Sequence, residues 1–363
     1  MHVNSNLIRY GRAALTSGGL LLAVVLAGCS GMSASKPAAS ESSPSAEAPA
    51  ESASPASAAA SAAPSASAAA QNSGSLGMIF EVNNSGWQKM LGAPNQKGMV
   101  IVMVLPNQAG AKAGLTQGDV VMKMNGVETY NANVTNREIR KLKVGDKVTL
   151  DLARKSGSAK VDVTVEPTQQ VNLADIFNGM LKTNPSDPIA YFLRGAYADS
   201  DVKAAIGDFG KAIDFNGNFV SAYVERGTRL QASDPKAAMN DFDKAASLDP
   251  NYEPLYVNRS VLYSAQKTYD KAMQDDQKAV QLDSTDPAAY ANLGIGYVNM
   301  GKPADALNAE NQALQQDPQF GPALLYRGLL QRDAARSDLQ NAAKLVRDPG
   351  LRSVAESALQ KMS

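Results

Sequence analysis

The chain holds one histidine, one cysteine and one tryptophan in 363 residues, and its 35 basic and 35 acidic side chains cancel. Each scarcity excludes something. His2 precedes the first long apolar stretch, so a chain processed after that stretch retains no imidazole. Cys29 is the sole thiol. Ser-His-Asp and Cys-His catalysis, zinc centres of His and Cys, dithiol redox chemistry and intramolecular disulfides all fall away together. Acid–base work by Asp, Glu or Lys remains formally open, but no motif places such groups, which argues against an enzyme and against a metal or cofactor site. The missing charge excess removes the drive toward nucleic acid or anionic lipid headgroups. No stretch after Leu26 is apolar enough to span a bilayer.

What is present begins with a leader. Arg9 and Arg12 precede an apolar run from Ala13 to Leu26, too short for a stable membrane span and suited to a secretory signal. Leu26-Ala27-Gly28-Cys29 follows. An ordinary signal peptide with a chance cysteine is the plain alternative. The four residues resemble the lipobox of bacterial lipoproteins. That resemblance implies cleavage after residue 28, acylation of Cys29 and anchoring through the lipid alone. Ser30 in place of Asp after the cysteine implies, by analogy with Gram-negative sorting, the outer membrane with the protein facing the periplasm. The leader takes two basic and no acidic residues, which leaves the mature chain a formal charge of −2.

Residues 29–73 are dominated by Ala and Ser with Pro37, Pro44, Pro49, Pro55 and Pro64 interspersed. The segment offers almost no large apolar side chain to offset the entropy of ordering, and proline interrupts every helical window. A tether reaching roughly 35–40 Å end to end is expected.

Ordered structure is expected from residue 74. Leu76 to Val82 and Met99 to Leu105 read as strands, Ala109 to Leu115 as a short helix closed by glycine. Val120 to Met124 alternates between two faces and ends in Asn125-Gly126, a tight-turn signal. Val148 to Leu152 and Lys160 to Val165 form a hairpin through Ser156-Gly157. The run Ala113-Gly114-Leu115-x-x-Gly118-Asp119-Val120-Val121, then Asn125-Gly126 and Gly145-Asp146-Lys147-Val148, resembles a bacterial PDZ domain over residues 74–168. The arrangement is similar to the circularly permuted form of periplasmic proteases and secretion proteins. Such domains take an extended peptide as an added strand. By that resemblance Ser75, Leu76 and Gly77 belong to the carboxylate-receiving loop and Met78 and Phe80 to the docking strand. The opposite wall is a helix opening at Thr135 through a capping box with Glu138, and Thr135, Ile139 and Leu142 share one face. Ile139 and Leu142 could equally belong to the domain's own core. The stretch Asn83 to Lys97 holds Trp87 and is expected to form a flap or short helix, with Trp87 in packing rather than ligand binding.

Residues 170–363 show internal periodicity. Tyr256 and Tyr290 lie 34 residues apart, as do Ser260 and Gly294, Tyr263 and Tyr297, Ala272 and Ala306, and Ala279 and Ala313. This period resembles tetratricopeptide repeats. Tyr191-x-x-x-Gly195 and Tyr223-x-x-x-Gly227 open two shorter repeats and Leu324-x-x-x-Gly328 a fifth, between an isolated helix at Leu173–Leu181 and a closing helix at Leu351–Met362. The expected fold is therefore a small β-rich α+β PDZ-like domain followed by an all-α superhelical array. By the resemblance, first helices line the inner surface, with Phe192, Val224, Asn258, Val261, Asn292, Ile295, Leu325, Leu329 and Arg332 at its positions. Asn258 and Asn292 are also common residues of such repeats.

Two patterns mislead. Asp214-x-Asn216-x-Asn218 with Glu225 mimics a calcium loop, but Phe219 stands where the sharp turn needs glycine. Arg194, Arg226, Arg259 and Arg327 form a row that invites an anionic ligand. Repeats one to three, however, carry Asp208, Asp241 and Asp275 in their second helices, while repeat four has Leu293 and Ala309 at the two places. Arg and Asp coming and going together predicts ion pairs within repeats; repeat five offers no obvious partner for Arg327. Taken with the resemblances, the expected role is a membrane-held periplasmic adaptor for protein C-termini, extended peptides or a protein partner, tied to envelope proteolysis. An assembly factor for a secretion or pilus machine is the alternative, and an enzyme of unrecognised type a third reading.

Overall fold

The computed structural model describes residues 74–169, 171–198, 201–331 and 335–362. The leader, Cys29, the tether and Arg332 lie outside the described residues. A β-rich domain comes first, followed by paired helices. Strands β1 (Gly74–Ser75) and β8 (Glu166–Pro167) pair antiparallel and bring the two ends of the domain together. Between them run β2 (Met78–Val82), helix α1 (Ser85–Leu91), β3 (Met99–Val104), α2 (Ala109–Lys112), β4 (Val120–Met124), β5 (Val127–Glu128), α3 (Ala132–Arg140), β6 (Lys147–Arg154) and β7 (Gly157–Thr164). The main sheet has the order β2-β3-β4-β6-β7, with β5 on β4. β2 is thus an edge strand.

Turn chemistry sets these connections. Asn125 and Gly126 both take positive φ, 50° and 80°, as the two-residue β4–β5 hairpin demands. The β6–β7 hairpin turns at Lys155-Ser156, one residue earlier than the sequence implied, because Gly157 already pairs with Arg154. The expected flap is α1: Asn84 caps it by accepting from the Gly86 and Trp87 amides. The wall helix α3 opens earlier than expected. Asn131, not Thr135, is its cap and accepts from Val134 N, while the Thr135 hydroxyl donates back to Asn131 C=O inside the first turn. Asparagine competes well with threonine at such positions, and the capping-box spacing matched by chance.

The array starts with α4 (Leu173–Thr183). Five helix pairs follow: α5 (Pro188–Tyr197) with α6 (Val202–Phe215), α7 (Val220–Leu230) with α8 (Pro235–Leu248), α9 (Glu253–Ala265) with α10 (Tyr269–Leu282), α11 (Pro287–Asn299) with α12 (Pro303–Gln316), and α13 (Gly321–Leu330) with α14 (Ala335–Leu345). α15 (Pro349–Gln360) closes it. Asp187, Asp234 and Asp286 cap helices whose next residue is proline, satisfying orphan amides and presetting φ.

Inside each pair a small residue of the first helix receives a larger one from the second. Phe209 fills the space over Gly195, Phe242 that over Gly227, and Leu339 that over Gly328. In repeats three and four the same place holds Asp276 and Glu310, against Ser260 and Gly294. Both acids are buried. Asp276 is hydrogen-bonded to Ser260 and Asn292, whereas both Glu310 carboxyl oxygens lack a partner among the described residues.

The arginine row is internal pairing. Arg194, Arg226 and Arg259 each make a two-pronged contact with Asp208, Asp241 and Asp275, at 2.6 to 2.9 Å. Arg327 does the same with Asp338 at 2.7 and 2.8 Å, so the fifth repeat keeps the pair that its degenerate sequence hid. The guanidinium groups of Arg194, Arg226 and Arg259 also lie over Tyr191, Tyr223 and Tyr256.

Candidate peptide groove and its cover

The residues expected to receive a peptide fall into one place. Leu76, Met78 and Phe80 are buried in one apolar cluster, and Ile139 of the wall helix packs against it half-buried, as does Leu142, which lies just past the helix end at Arg140 rather than on its face. Thr135 is buried at the head of that wall. Gly77 C=O accepts from Leu105 N and Asn83 N donates to Gly98 C=O, so the odd residues of β2 face β3. The alternation of an antiparallel strand then turns the backbone groups of Met78, Phe80 and Val82 toward the outer edge. A bulge on β3 takes up the register shift, and the Gln117 side chain donates to the Val102 carbonyl it leaves over. An edge strand and a facing helix with an apolar cluster between them are parts that strand addition needs.

The loop before β2 is already engaged. Ser75 pairs with Glu166, and its hydroxyl oxygen accepts from the Gly77 amide at 3.0 Å. Gly77 itself has φ +67°, and a Cβ there would stand 2.4 Å from Gln108 Cβ. Both the conformation and the space demand glycine.

The array lies over the far end of this groove. Tyr197, the last residue of α5, donates its hydroxyl to Glu81 Oε1 at 2.6 Å and stands 3.5 Å from Phe80 C=O on the outer edge. Asn84 donates to Val82 C=O at 3.3 Å and to Ser221 Oγ at 2.8 Å. Val82 packs into the cluster of Val220, Val224, Tyr252 and Leu255. The back of the sheet, through Ile79, Val100, Val102 and Val120, shares one core with Leu173, Phe177, Phe192 and Phe209. Trp87 fills the joint, fully buried, edge-on to Phe192 at 5.4 Å and to Phe219 at 4.8 Å.

A periodic set of turns holds the rest. Asp249, Asp283 and Asp317 end successive second helices, 34 residues apart. In each, Oδ1 accepts an amide of its own turn, from Asn251, Thr285 and Gln319. Their Oδ2 atoms turn to the PDZ-like domain: Asp249 accepts from Ser85 N at 2.9 Å, Asp283 from Asn131 Nδ2 at 2.7 Å, and Asp317 faces Arg140 at 3.6 Å. Asn133 donates to Asp286 at 2.7 Å, Lys97 to Leu282 C=O at 2.8 Å, and Arg137 to Gln316 C=O.

The electrostatics of this seam are acidic and enclosed. Burial and the neighbouring Asp286 and Asp283 push Glu253 well above its ordinary carboxyl range. Burial raises Asp286 to about 6 against the pull of the Ala288 amide. The Tyr197 phenol is driven up by burial and by Glu81.

Of the expected inner-surface residues, the array does not make one open face. Phe192 lies under Trp87, Val224 beside Val82, and Leu325 in a separate core near the closing helix. Asn258 donates to Pro254 C=O, and Asn292 to Val257 C=O and Ser260 Oγ. Val261 is buried and Ile295 and Leu329 are half-buried. The seam residues Tyr197, Asn131, Asn133 and Ser221 were not read from the sequence. The 34-residue spacing of the turn aspartates was the one signal that could have pointed to a docking face.

Comparison with known proteins fits these two halves. Residues 74–165 match the PDZ domain model and residues 253–286 the tetratricopeptide repeat model. No curated protein matches the chain. Among solved structures, YrrB, described as a TPR protein with an unusual peptide-binding site, is 22% identical, with 51% of this chain and 99% of that one covered at a TM-score of 0.36. Pseudomonas aeruginosa pilF is 21% identical over 52% of this chain and 84% of its own, at 0.40. The HtrA-type protease AlgW with a decapeptide is 19% identical over 28% and 31%, at 0.26. The chain thus joins a PDZ-like, strand-rich domain to a TPR-like helical repeat array.

Proposed function

We propose that this protein is an envelope scaffold that presents a PDZ-type groove to extended polypeptide segments, free C-termini foremost. The observation that carries the reading is the outer edge of β2, whose Met78, Phe80 and Val82 backbone groups face away from β3, beside the apolar cluster of Leu76, Met78 and Phe80 against which Ile139 and Leu142 pack half-buried. The role is binding, in keeping with the PDZ and tetratricopeptide repeat models that residues 74–165 and 253–286 match. Cys29 serves as the acylated anchor on the outer membrane, the 29–73 tether gives reach into the periplasm, and partners are envelope proteins, including a protease or its clients. Among the described residues no helix is long and apolar enough to cross a membrane.

Two measurements test this. Residues 29–363 are titrated with a decapeptide ending in an apolar residue, as free acid and as amide; tighter binding of the free acid is expected, and equal binding would remove the carboxylate reading. Cys29→Ser is expected to abolish membrane attachment, with mass spectrometry of the N-terminal peptide as the check. An unmodified Cys29 in the membrane-bound wild type would refute the anchor.

A further inference from the structure

Strand addition to β2 needs the outward backbone groups of Met78, Phe80 and Val82 in sequence. The carbonyls of Phe80 and Val82 are met by the Tyr197 hydroxyl and the Asn84 amide, and Val82 packs against first helices of the array. The facing helix α3 is held along its length, through Asn131 and Asn133 near its start and Arg140 at its end. The two walls of the groove are therefore fastened to one body across the path a ligand strand would take.

We propose that the repeat array is an intramolecular cover of the PDZ groove, so that the groove accepts polypeptide only when α3 and β2 are released from the array. This rests on the peptide-binding role given above.

The fastening has the character of a releasable contact. On the groove face, the cluster of Leu76, Met78 and Phe80 draws on no array residue, so release there leaves it intact, while the back of the sheet stays on the core it shares with the array through Ile79 and Trp87. The contacts of α3 to the array are polar: the amides of Asn131 and Asn133 donate to Asp283 and Asp286, Arg137 donates to Gln316 C=O, and Arg140 faces Asp317. Arg140 is half exposed where it faces Asp317, and a solvated ion pair contributes little. The three turn aspartates use Oδ1 to hold their own turns, so letting go of the domain leaves the repeats intact. A tethered cover competes at high effective concentration with any free ligand, which makes its removal the step that sets apparent affinity.

Asn133→Asp and Arg140→Glu test the cover. The first sets a carboxylate against Asp286, the second against Asp317; an acid in the first turn of α3 suits the helix dipole and spares the PDZ fold. Hydrogen exchange of residues 29–363, followed by mass spectrometry, reads the β2 segment without any ligand. Exchange over 78–84 about tenfold faster in both variants, with β3, β4 and β6 still protected, is expected, together with about tenfold tighter binding of the free-acid decapeptide. Unchanged exchange over β2 in both variants would overturn the proposal. If Asn133→Asp loses protection in β3 and β4 as well, it is unfolded and Arg140→Glu alone decides. Faster β2 exchange without tighter binding would overturn the peptide gate and, with it, the peptide-binding role.

Discussion

Glu310 occupies a place that repeats one, two and five give to Phe209, Phe242 and Leu339. It is fully buried against Gly294, with neither carboxyl oxygen hydrogen-bonded among the described residues. Replacing it by leucine, as repeat five has, removes an unsatisfied buried polar group, which costs about 1–3 kcal/mol. The leucine keeps an apolar contact across the helix pair. Taking about 2 kcal/mol, the unfolding midpoint rises by roughly 4–8 °C for a unit of some 150–250 residues. The pH dependence is a second, independent readout. Burial raises the folded carboxyl well above 4.5, so the folded state binds more protons than the unfolded chain once pH exceeds that value. The wild type therefore loses stability as pH climbs from about 4.5 toward the folded pKa, and the leucine variant lacks that part of the loss while keeping the part due to Asp286 and the other buried acids. Thermal unfolding of both proteins at pH 5 and pH 8 is the assay. The variant is expected to gain at both, and more at pH 8. A midpoint that falls, or a gain equal at the two pH values, would refute the reasoning, because it would mean the carboxyl is solvated or paired.

Three further outcomes follow from particular contacts. Trp87→Ala empties the joint between Phe192 and Phe219 and is expected to cost about 3–5 kcal/mol by denaturant unfolding. Trp87→Phe is expected to cost less, since the indole N–H has no acceptor among the described residues. Arg259→Leu strands the buried Asp275 and should cost about 3 kcal/mol, whereas adding Asp275→Ala reproduces the Leu293 and Ala309 of repeat four; a double-mutant cycle is expected to be non-additive by at least about 1 kcal/mol. Asp286 sits near 6 when folded against 3.8 otherwise, so folding holds its proton and stability falls between about pH 4 and 6, by about 3 kcal/mol in the limit of a single site. Asp286→Asn keeps the helix cap and is expected to flatten that part of the stability–pH curve, measured by chemical denaturation from pH 4 to 7.

Most of the local architecture was legible in the residues themselves. The 34-residue period, the small positions of the first helices and the linked appearance of Arg and Asp specify helix pairs, because each repeat solves the same packing problem with its neighbours. The Asn125-Gly126 turn and the alternating strands specify the sheet, because backbone conformation and two-faced burial are local matters. The pairing of Arg327 with Asp338 escaped only because the spacing in repeat five is shortened. Tertiary structure alone decided that the two modules close on one another. Asn84, Asn131 and the turn aspartates each have a complete local role, capping a helix or a turn, and that role accounts for them in the sequence. Their second hydrogen bonds, to Ser221, Asn131 and Ser85, join residues more than a hundred positions apart, where no periodicity can reach. Trp87 announces burial by its type, but nothing in the sequence names its partners: Phe192 is expected on an open inner surface, and Phe219 draws notice only as the residue that spoils a calcium-loop pattern. Which large apolar groups meet is settled by the shape of the assembled surfaces, since burial has no direction of its own.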